Sequence, residues 1–413
     1  MRFSNVMIVA VLAVLMAACG GGDGSSSPQP DSSSSLSTVL NSSSSSSVSS
    51  SSVASSMADI LSVEMDGLVK NIIHESGATA ATVAVAQNGK IVFEQGYGFL
   101  NINKTIATTP DTLMRMASLV KPVTAAAVRK LAATGVLALS DHVFCNGNNA
   151  PCWLPAKLLS VTSDNRAKDI TVEQLIAHQG GWYATVSGDP LEQELEIRQT
   201  FGLSAAPSRE DIVRYVMQRP LDFTPGVLDY VNENYSNFGY LLLGMVIEQA
   251  TNVSYIDYVQ ANIMAPLGVS SADFKLATSP LAEHDSREPA YVSADICPSV
   301  FNPGKNALCS EEGADLKNWS SAAGIIATAK AMALFAQHYR LPKDPRYFFA
   351  HYGNIGEPLP SITNADGSHV GSLPGTSALV RQLPSGVSYA IYLNTYYDIP
   401  SYEELDRVSQ LAP

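Results

Sequence analysis

Apolar positions recur along this chain with two different periods, and the changes of period mark its elements. From Met57 to Glu75 apolar residues stand at Ile60, Leu61, Met65, Leu68, Val69 and Ile72, the spacing of a helix with one buried face. Thr82–Ala86 and Ile91–Tyr97 read as strands. Between them lies Asn88-Gly89, the dipeptide a two-residue hairpin favours because both turn positions need positive φ. Near the other end Ser377–Leu383 and Val387–Leu393 read as a second strand pair joined by Pro384-Ser385-Gly386, and Ser401–Leu411 as a short closing helix. The middle is mainly helical, with Val123–Ala133, Ile212–Gln218, Tyr240–Gln249, Tyr255–Met264 and Ala327–Tyr339 as the clearest segments. Strands at both ends with helices between predict an α/β (α+β) fold. One antiparallel sheet is built from N- and C-terminal segments and flanked by helices, and a mainly helical lobe is inserted. The sheet lobe spans about 57–110 and 320–413 and the helical lobe about 111–319, with a cleft between them as the expected site.

Residues 20 to about 56 follow neither period. They are mostly serine with some glycine and proline, cannot bury apolar surface, and are expected to form a flexible tether. Ahead of them Arg2 supplies a positive charge, and Val6–Ala18 is an apolar run too short to span a bilayer comfortably. It ends Met16-Ala17-Ala18-Cys19, which resembles a bacterial lipobox with Met in the place usually held by Leu. The resemblance implies cleavage before Cys19 and lipid on its sulfur, and Gly20 in place of Asp suggests the outer membrane. The expected organisation is a lipoprotein signal peptide over 1–18, a tether over 19–56 and a folded domain over 57–413. Such a protein is exported and held at the outer membrane by lipid alone, facing the periplasm or the cell surface.

Bulk composition changes this picture little. An apolar content of 46% and a charged content of 15% suit a globular domain. A net charge of −13 without a basic stripe disfavours nucleic acid as a partner. If Cys19 is lipidated, Cys145, Cys152, Cys297 and Cys309 remain, which allow three connectivities. The pairs close in sequence, Cys145–Cys152 and Cys297–Cys309, would each staple a loop, as an oxidising compartment permits. Neither C-x-x-C nor H-E-x-x-H occurs, so neither a metal nor a cofactor is expected. Glu192, Glu194 and Glu196 read as a solvated face.

The chemistry centres on Ser118-Leu119-Val120-Lys121, since Lys121 alone among the lysines has a serine three residues before it. A helix starting at Ser118 puts both side chains on one face. Pro122 fits only a first turn, Val123–Val128 propagates the helix, and Gly135 stops it. A serine there sits in the positive field of the helix N-terminus. A lysine in an apolar pocket loses hydration of its charged form, so its pKa falls and it can accept the serine proton.

The run Thr112–Ala125 around these residues closely resembles the nucleophile segment of class C β-lactamases and their esterase and D-peptidase relatives. Ile170–Gly181 is similar to the family helix that ends in a His-Thr-Ser-Gly turn, with Gln179 and Gly180 departing from it and His178 as a packed structural residue. The family's Tyr-x-Asn pattern occurs here at Tyr230/Asn232, Tyr235/Asn237, Tyr352/Asn354 and Tyr392/Asn394. The following Phe238–Gly244 selects Tyr235 and Asn237, while a long interval from Gly226 leaves Tyr230 as the alternative. A tyrosine near the lysine can relay protons, and a nearby ammonium is expected to lower the phenol's pKa. Asn237 is expected to donate to a substrate carbonyl and to orient the lysine. His369-Val370-Gly371-Ser372 matches the His-x-Gly form of the third family motif, and Gly371 is expected to let backbone approach substrate closely. The bare pattern also occurs at His351 and His178, without that context.

The resemblance implies a β-lactamase/transpeptidase-like fold and a serine hydrolase. It implies Ser118 as nucleophile, Lys121 and Tyr235 as proton carriers, and the amides of Ser118 and Ser372 as the oxyanion hole. Asn237, His369, Gly371 and Ser372 would line the substrate. Histidine in place of the lactamase lysine pairs poorly with a carboxylate at neutral pH, which favours ester or amide hydrolysis over efficient β-lactam turnover. The expected partner of this monomer is a small acyl substrate or a D-amino-acid peptide, peptidoglycan included. A surface lipoprotein that binds penicillin or peptidoglycan with weak turnover is the alternative.

Overall fold

In the computed structural model the described residues run from 50 to 413, apart from 148–149, 163, 228–234, 343–351 and 400–401, with side chains from 57. The strands among them begin with β1 (Ala80–Gln87), β2 (Lys90–Gly98), β3 (Met114–Arg115), β4 (His142–Phe144), β5 (Cys152–Leu154) and β6 (Phe274–Leu276). Then come β7 (Ile296–Pro298), β8 (Asn306–Leu308), β9 (Ile325–Ala327), β10 (Gly367–Leu373), β11 (Thr376–Gln382) and β12 (Val387–Leu393).

The main sheet has the order β10-β11-β12-β1-β2 and is antiparallel throughout. N- and C-terminal segments therefore meet at its centre, where Val83 pairs with Ile391 and Val85 with Tyr389. The hairpin between β1 and β2 turns on Asn88 and Gly89, both at positive φ, as that dipeptide requires. Strand alternation divides the residues between two cores. Val83, Val85, Leu379, Tyr389 and Ile391 pack with helix α1 (Ser50–Ser76) and the C-terminal helix Tyr402–Ser409. Ala84, Ala86, Ala378, Val380 and Ala390 join the large core on the other face. Small residues there let helix Ala329–His338 lie close to the strands, where Gln337 Nε2 donates to Ala86 O at 3.1 Å and Ser388 Oγ at 2.8 Å.

Several boundaries differ from the sequence expectation. Helix α1 starts at Ser50, inside the serine tract; serine opposes a helix only weakly, and the packed stretch after it carries the first turns. Ile60 is exposed rather than on the buried face. The helix read from Ala327 begins at Ala329, because Ala327 closes β9, which pairs with both β3 and β6. Tyr255–Met264 is α-helical only to Val259 and ends in a π turn, Gln260–Met264. Of the two expected disulfides, Cys145–Cys152 is formed, with Cα atoms 5.0 Å apart. Cys297 and Cys309 are free thiols. The β7–β8 register sets Cys297 opposite Ala307, so Cys309 lies diagonally across the ladder. Burial and a hydrogen bond to Cys297 push the Cys309 thiol up to about 12.

The three-stranded sheet β3-β9-β6 carries the chain into the nucleophile turn. Its anchor is Arg115, which is 1% exposed and lies 3.7 Å from the buried Glu288 carboxylate. The guanidinium stacks on Tyr291, donates to the Ser310 carbonyl, and Tyr291 donates to Glu288 at 2.7 Å. Removing one member of a buried pair leaves the other uncompensated, at a cost of about 3–5 kcal/mol. Glu288→Ala is therefore expected to lower unfolding free energy on that scale in urea titrations, and a loss below about 1 kcal/mol would contradict the anchor.

Candidate active site

Ala117, the residue before the candidate nucleophile, sits at φ +47°, a conformation that a non-glycine residue holds only when its surroundings impose it. Here they do, through β3 behind it and the single 3-10 turn Ala117–Leu119 that leads into helix α2 (Val120–Ala133). Pro122 falls in the first turn of α2, where its missing N–H costs nothing, and Gly135 follows the helix end at positive φ. One turn of this helix brings Lys121 back over Ser118.

The Ser118 hydroxyl is half-buried and takes two donors. Lys121 Nζ lies 3.0 Å from Oγ and the Tyr235 hydroxyl 2.5 Å from it. Lys121 is fully buried and donates a second bond, at 2.9 Å, to the Ala322 carbonyl. Its amine lies 4.7 Å over the Tyr235 ring and 5.7 Å over Tyr240. Burial pulls the Lys121 pKa down to about 7, against the opposing field of Asp189.

Tyr235 is held from behind. His178, at φ +57°, stacks on its ring at 4.7 Å and lies tilted against Tyr240 at 4.9 Å, and His178 Nδ1 accepts the Ser236 N–H at 3.1 Å. Ser236 in turn caps helix Asn237–Thr251 through Gly239 N. Burial raises the Tyr235 pKa well above 10, outweighing the hydrogen bond with Ser118 that lowers it, and Asp189 raises it further. The expected lowering by an ammonium does not occur, because the neighbouring amine is itself driven toward neutrality. Tyr235 is thus a protonated phenol.

The third motif lies on β10, the edge strand of the sheet. A Cβ at Gly371 would meet Met116 O at 2.5 Å and Ser118 N at 2.9 Å. The close approach that requires glycine is thus to the nucleophile turn, whereas sequence reading placed it at substrate. Ser372, next in the strand, is exposed. His369 is buried, bonds Val370 O through Nδ1 at 2.7 Å, and is pulled down to about 3 by burial and by Lys121. It carries no charge at neutral pH.

Asn237 does not orient the lysine. Its Nδ2 donates to Asp189 at 2.5 Å, and its buried Oδ1 has no hydrogen-bond partner. The lysine is oriented by Ala322 O instead, on a turn secured by Trp319, whose Nε1 donates to Glu194 at 2.7 Å. Glu194 is fully buried rather than on a solvated face, and burial pushes its carboxyl up to about 8. Of the other Tyr-x-Asn matches, Tyr392 is in the core and Asn394 binds the Ala80 amide. Tyr352–Asn354 forms a 3-10 turn. Tyr230, His351 and Cys19 lie outside the described residues.

A family model described as Beta-lactamase matches residues 65–382. The chain belongs to the beta-lactamase family. Its fold is that of solved members. Beta-lactamase/D-alanine carboxypeptidase from Yersinia pestis superposes with a TM-score of 0.60 at 18% identity, over 86% of this chain and 99% of that one. D-amino acid amidase from Ochrobactrum anthropi SV3 gives 0.58 at 19% identity, over 86% and 98%. Among curated proteins, Protein flp of Staphylococcus aureus (strain N315) is 26% identical over 62% of this chain and 47% of its own length. Esterase EstB of Burkholderia gladioli is 28% identical over 52% of each. The chain thus spans about half the length of the curated relatives it matches.

Two elements of this beta-lactamase-family site carry almost no sequence signal. Asp189 lies in Gly188-Asp189-Pro190, which reads only as a turn, and Ala322 contributes a backbone carbonyl.

The low pKa of Lys121 ties the site to stability. Between about 7 and 10.5 the unfolded chain holds a proton here that the folded chain lacks, so stability rises with pH across that window. The slope from this one group is up to about 1.4 kcal/mol per pH unit. Urea unfolding of Lys121→Met between pH 7 and pH 9.5 is expected to lack that slope. A wild-type-to-variant difference that stays constant with pH would contradict a desolvated amine.

Proposed function

We propose that this beta-lactamase-family member is a serine hydrolase that forms an acyl-enzyme on Ser118 with esters or amides and turns over β-lactams poorly. The observation that carries the proposal is the Lys121 amine, buried, 3.0 Å from Ser118 Oγ and titrating near neutrality. Neutral Lys121 takes the Ser118 proton as Oγ bonds to the substrate carbonyl carbon, and the carbonyl electrons move onto oxygen. The amides of Ser118 and Ser372 would receive that oxyanion, at about 3 kcal/mol of transition-state stabilisation per donor. Tyr235, protonated and 2.5 Å from Oγ, passes a proton to the leaving alcohol or amine and recovers one from Lys121. Water then attacks the acyl-enzyme, giving its proton back through the same pair, and releases the acid.

The neutral state of His369 supports the substrate class. A penicillin or a D-alanyl terminus presents a carboxylate, and an uncharged buried imidazole gives it no cation to pair with. The names of two similar proteins, an esterase and a D-amino acid amidase, agree with that direction. Export and lipid attachment at Cys19 belong to the same proposal and rest on the Met16–Cys19 segment alone. Cys19→Ala is expected to move the protein from the membrane fraction to the soluble one.

A fluorophosphonate probe followed by peptide mapping is expected to label Ser118. Ser118→Ala should lose at least about a thousandfold in kcat on a chromogenic ester. The wild-type kcat/KM should rise with pH along a limb near 7, as Lys121 deprotonates, and turnover of a chromogenic cephalosporin should be far slower than that of the ester. Label at another residue, or an ester activity that survives Ser118→Ala, would overturn the assignment.

A further inference from the structure

Asp189 is a carboxylate beside the reacting groups that the mechanism above leaves unused. It lines a recess with Trp182, Ser187, Ser236, Asn237 and Phe238, and the Tyr235–Asn237 segment links that recess to Ser118. Ser236 is extended, so the side chains of Tyr235 and Asn237 project to the same side, one to Ser118 and the other to Asp189. The field of Asp189 reaches both Lys121 and Tyr235.

Burial raises this carboxyl above its ordinary value, its hydrogen bonds and the field of Lys121 oppose that, and no cation among the described residues is bonded to it. It accepts two neutral donors, the Leu191 N–H at 3.0 Å and Asn237 Nδ2 at 2.5 Å. Among the described residues no lysine, arginine or histidine forms an ion pair with it. The two nearby cationic side chains are already engaged. Arg219 lines the same recess but donates to Ser187 O, Tyr215 and Glu196. Lys121 donates to Ser118 and Ala322. Beside Asp189, the buried Oδ1 of Asn237 is an acceptor with no donor. A carboxylate lacking a counter-ion and a carboxamide oxygen lacking a donor together describe a receptor for a small, multiply donating cation.

We propose that Asp189 is a specificity-determining residue that receives the ammonium group of the acyl part of the substrate, with Asn237 Oδ1 as a second acceptor. The preferred substrates are then aminoacyl esters or amides with a free amine, a class opposite in charge to the carboxylate-bearing β-lactams. The inference rests on the acyl-enzyme reading of Ser118.

The test uses methyl esters of D-alanine, L-alanine, β-alanine and propionic acid, with acid release followed by a pH indicator. Each kcat/KM is divided by the hydroxide-catalysed rate, which removes the intrinsic activation by an ammonium. The wild type is expected to prefer at least one amino ester over propionate by about tenfold or more, the scale of a charge-assisted hydrogen bond. Asp189→Asn should collapse that ratio toward one; a ratio cancels any loss common to both substrates. Asp189→Lys should shift preference toward monomethyl succinate. No amine preference in the wild type, or a preference that survives Asp189→Asn, overturns the proposal. Ser118→Ala separates the two claims. Esters cleaved through Ser118 without amine discrimination sink only the role of Asp189. Esters cleaved without Ser118, or no cleavage at all, sink the acyl-enzyme reading and this inference with it.

Discussion

The removal of one lysine amine from water is the constraint on which the site depends. A fully buried ammonium is costly unless it is paired, and Lys121 has no carboxylate bonded to it, only a hydroxyl and a carbonyl. The protein meets that cost by letting the amine go neutral near pH 7, and a neutral amine beside a serine hydroxyl is a base in waiting. Much of the surrounding architecture keeps that geometry fixed. Arg115 and its buried partners hold the strand before the turn, and the positive φ of Ala117 aims Ser118. The absence of a side chain at Gly371 lets the edge strand lie against the Ser118 amide.

Burial acts on every titratable group around the amine, in the direction opposite to charge. Tyr235 stays protonated, while His178 and His369 stay uncharged, each pushed by desolvation first and by Lys121 second in the two histidines. The result is a site with few standing charges, and burial raises the Asp189 carboxyl above its ordinary value too. The two proposals above, poor β-lactam turnover and an ammonium received by Asp189, both rest on that polarity.

Much of this was readable from residue order. Two apolar runs at each end of the domain read as strands, and Asn88-Gly89 marks the hairpin between the first pair, so four of the five strands of the main sheet were legible, β10 being the exception. The Ser118–Lys121 spacing has one structural meaning once Pro122 sets the helix start. The rest depends on packing that no local pattern encodes. Ala327 looks like the start of the helix that follows it, and only the pairing of β9 with β3 and β6 makes it a strand residue. Glu194 looks solvated beside its acidic neighbours until Trp319 donates to it across the fold. Cys297 and Cys309 are close in sequence, yet strand register sets them diagonally. Asn237 was legible as a motif residue, but its partner Asp189 comes from a distant turn, and the acidity of Tyr235 depends on burial that outweighs its hydrogen bond with Ser118.

The most direct measurement is the titration of Lys121 itself. Carbon-13 NMR of the folded protein labelled at lysine Cε, with Lys121→Arg to assign the resonance, should show the Lys121 signal titrating near 7. A Lys121 signal that moves only near 10.5 would mean a hydrated ammonium, and the account of this site as a lysine-activated serine would be wrong.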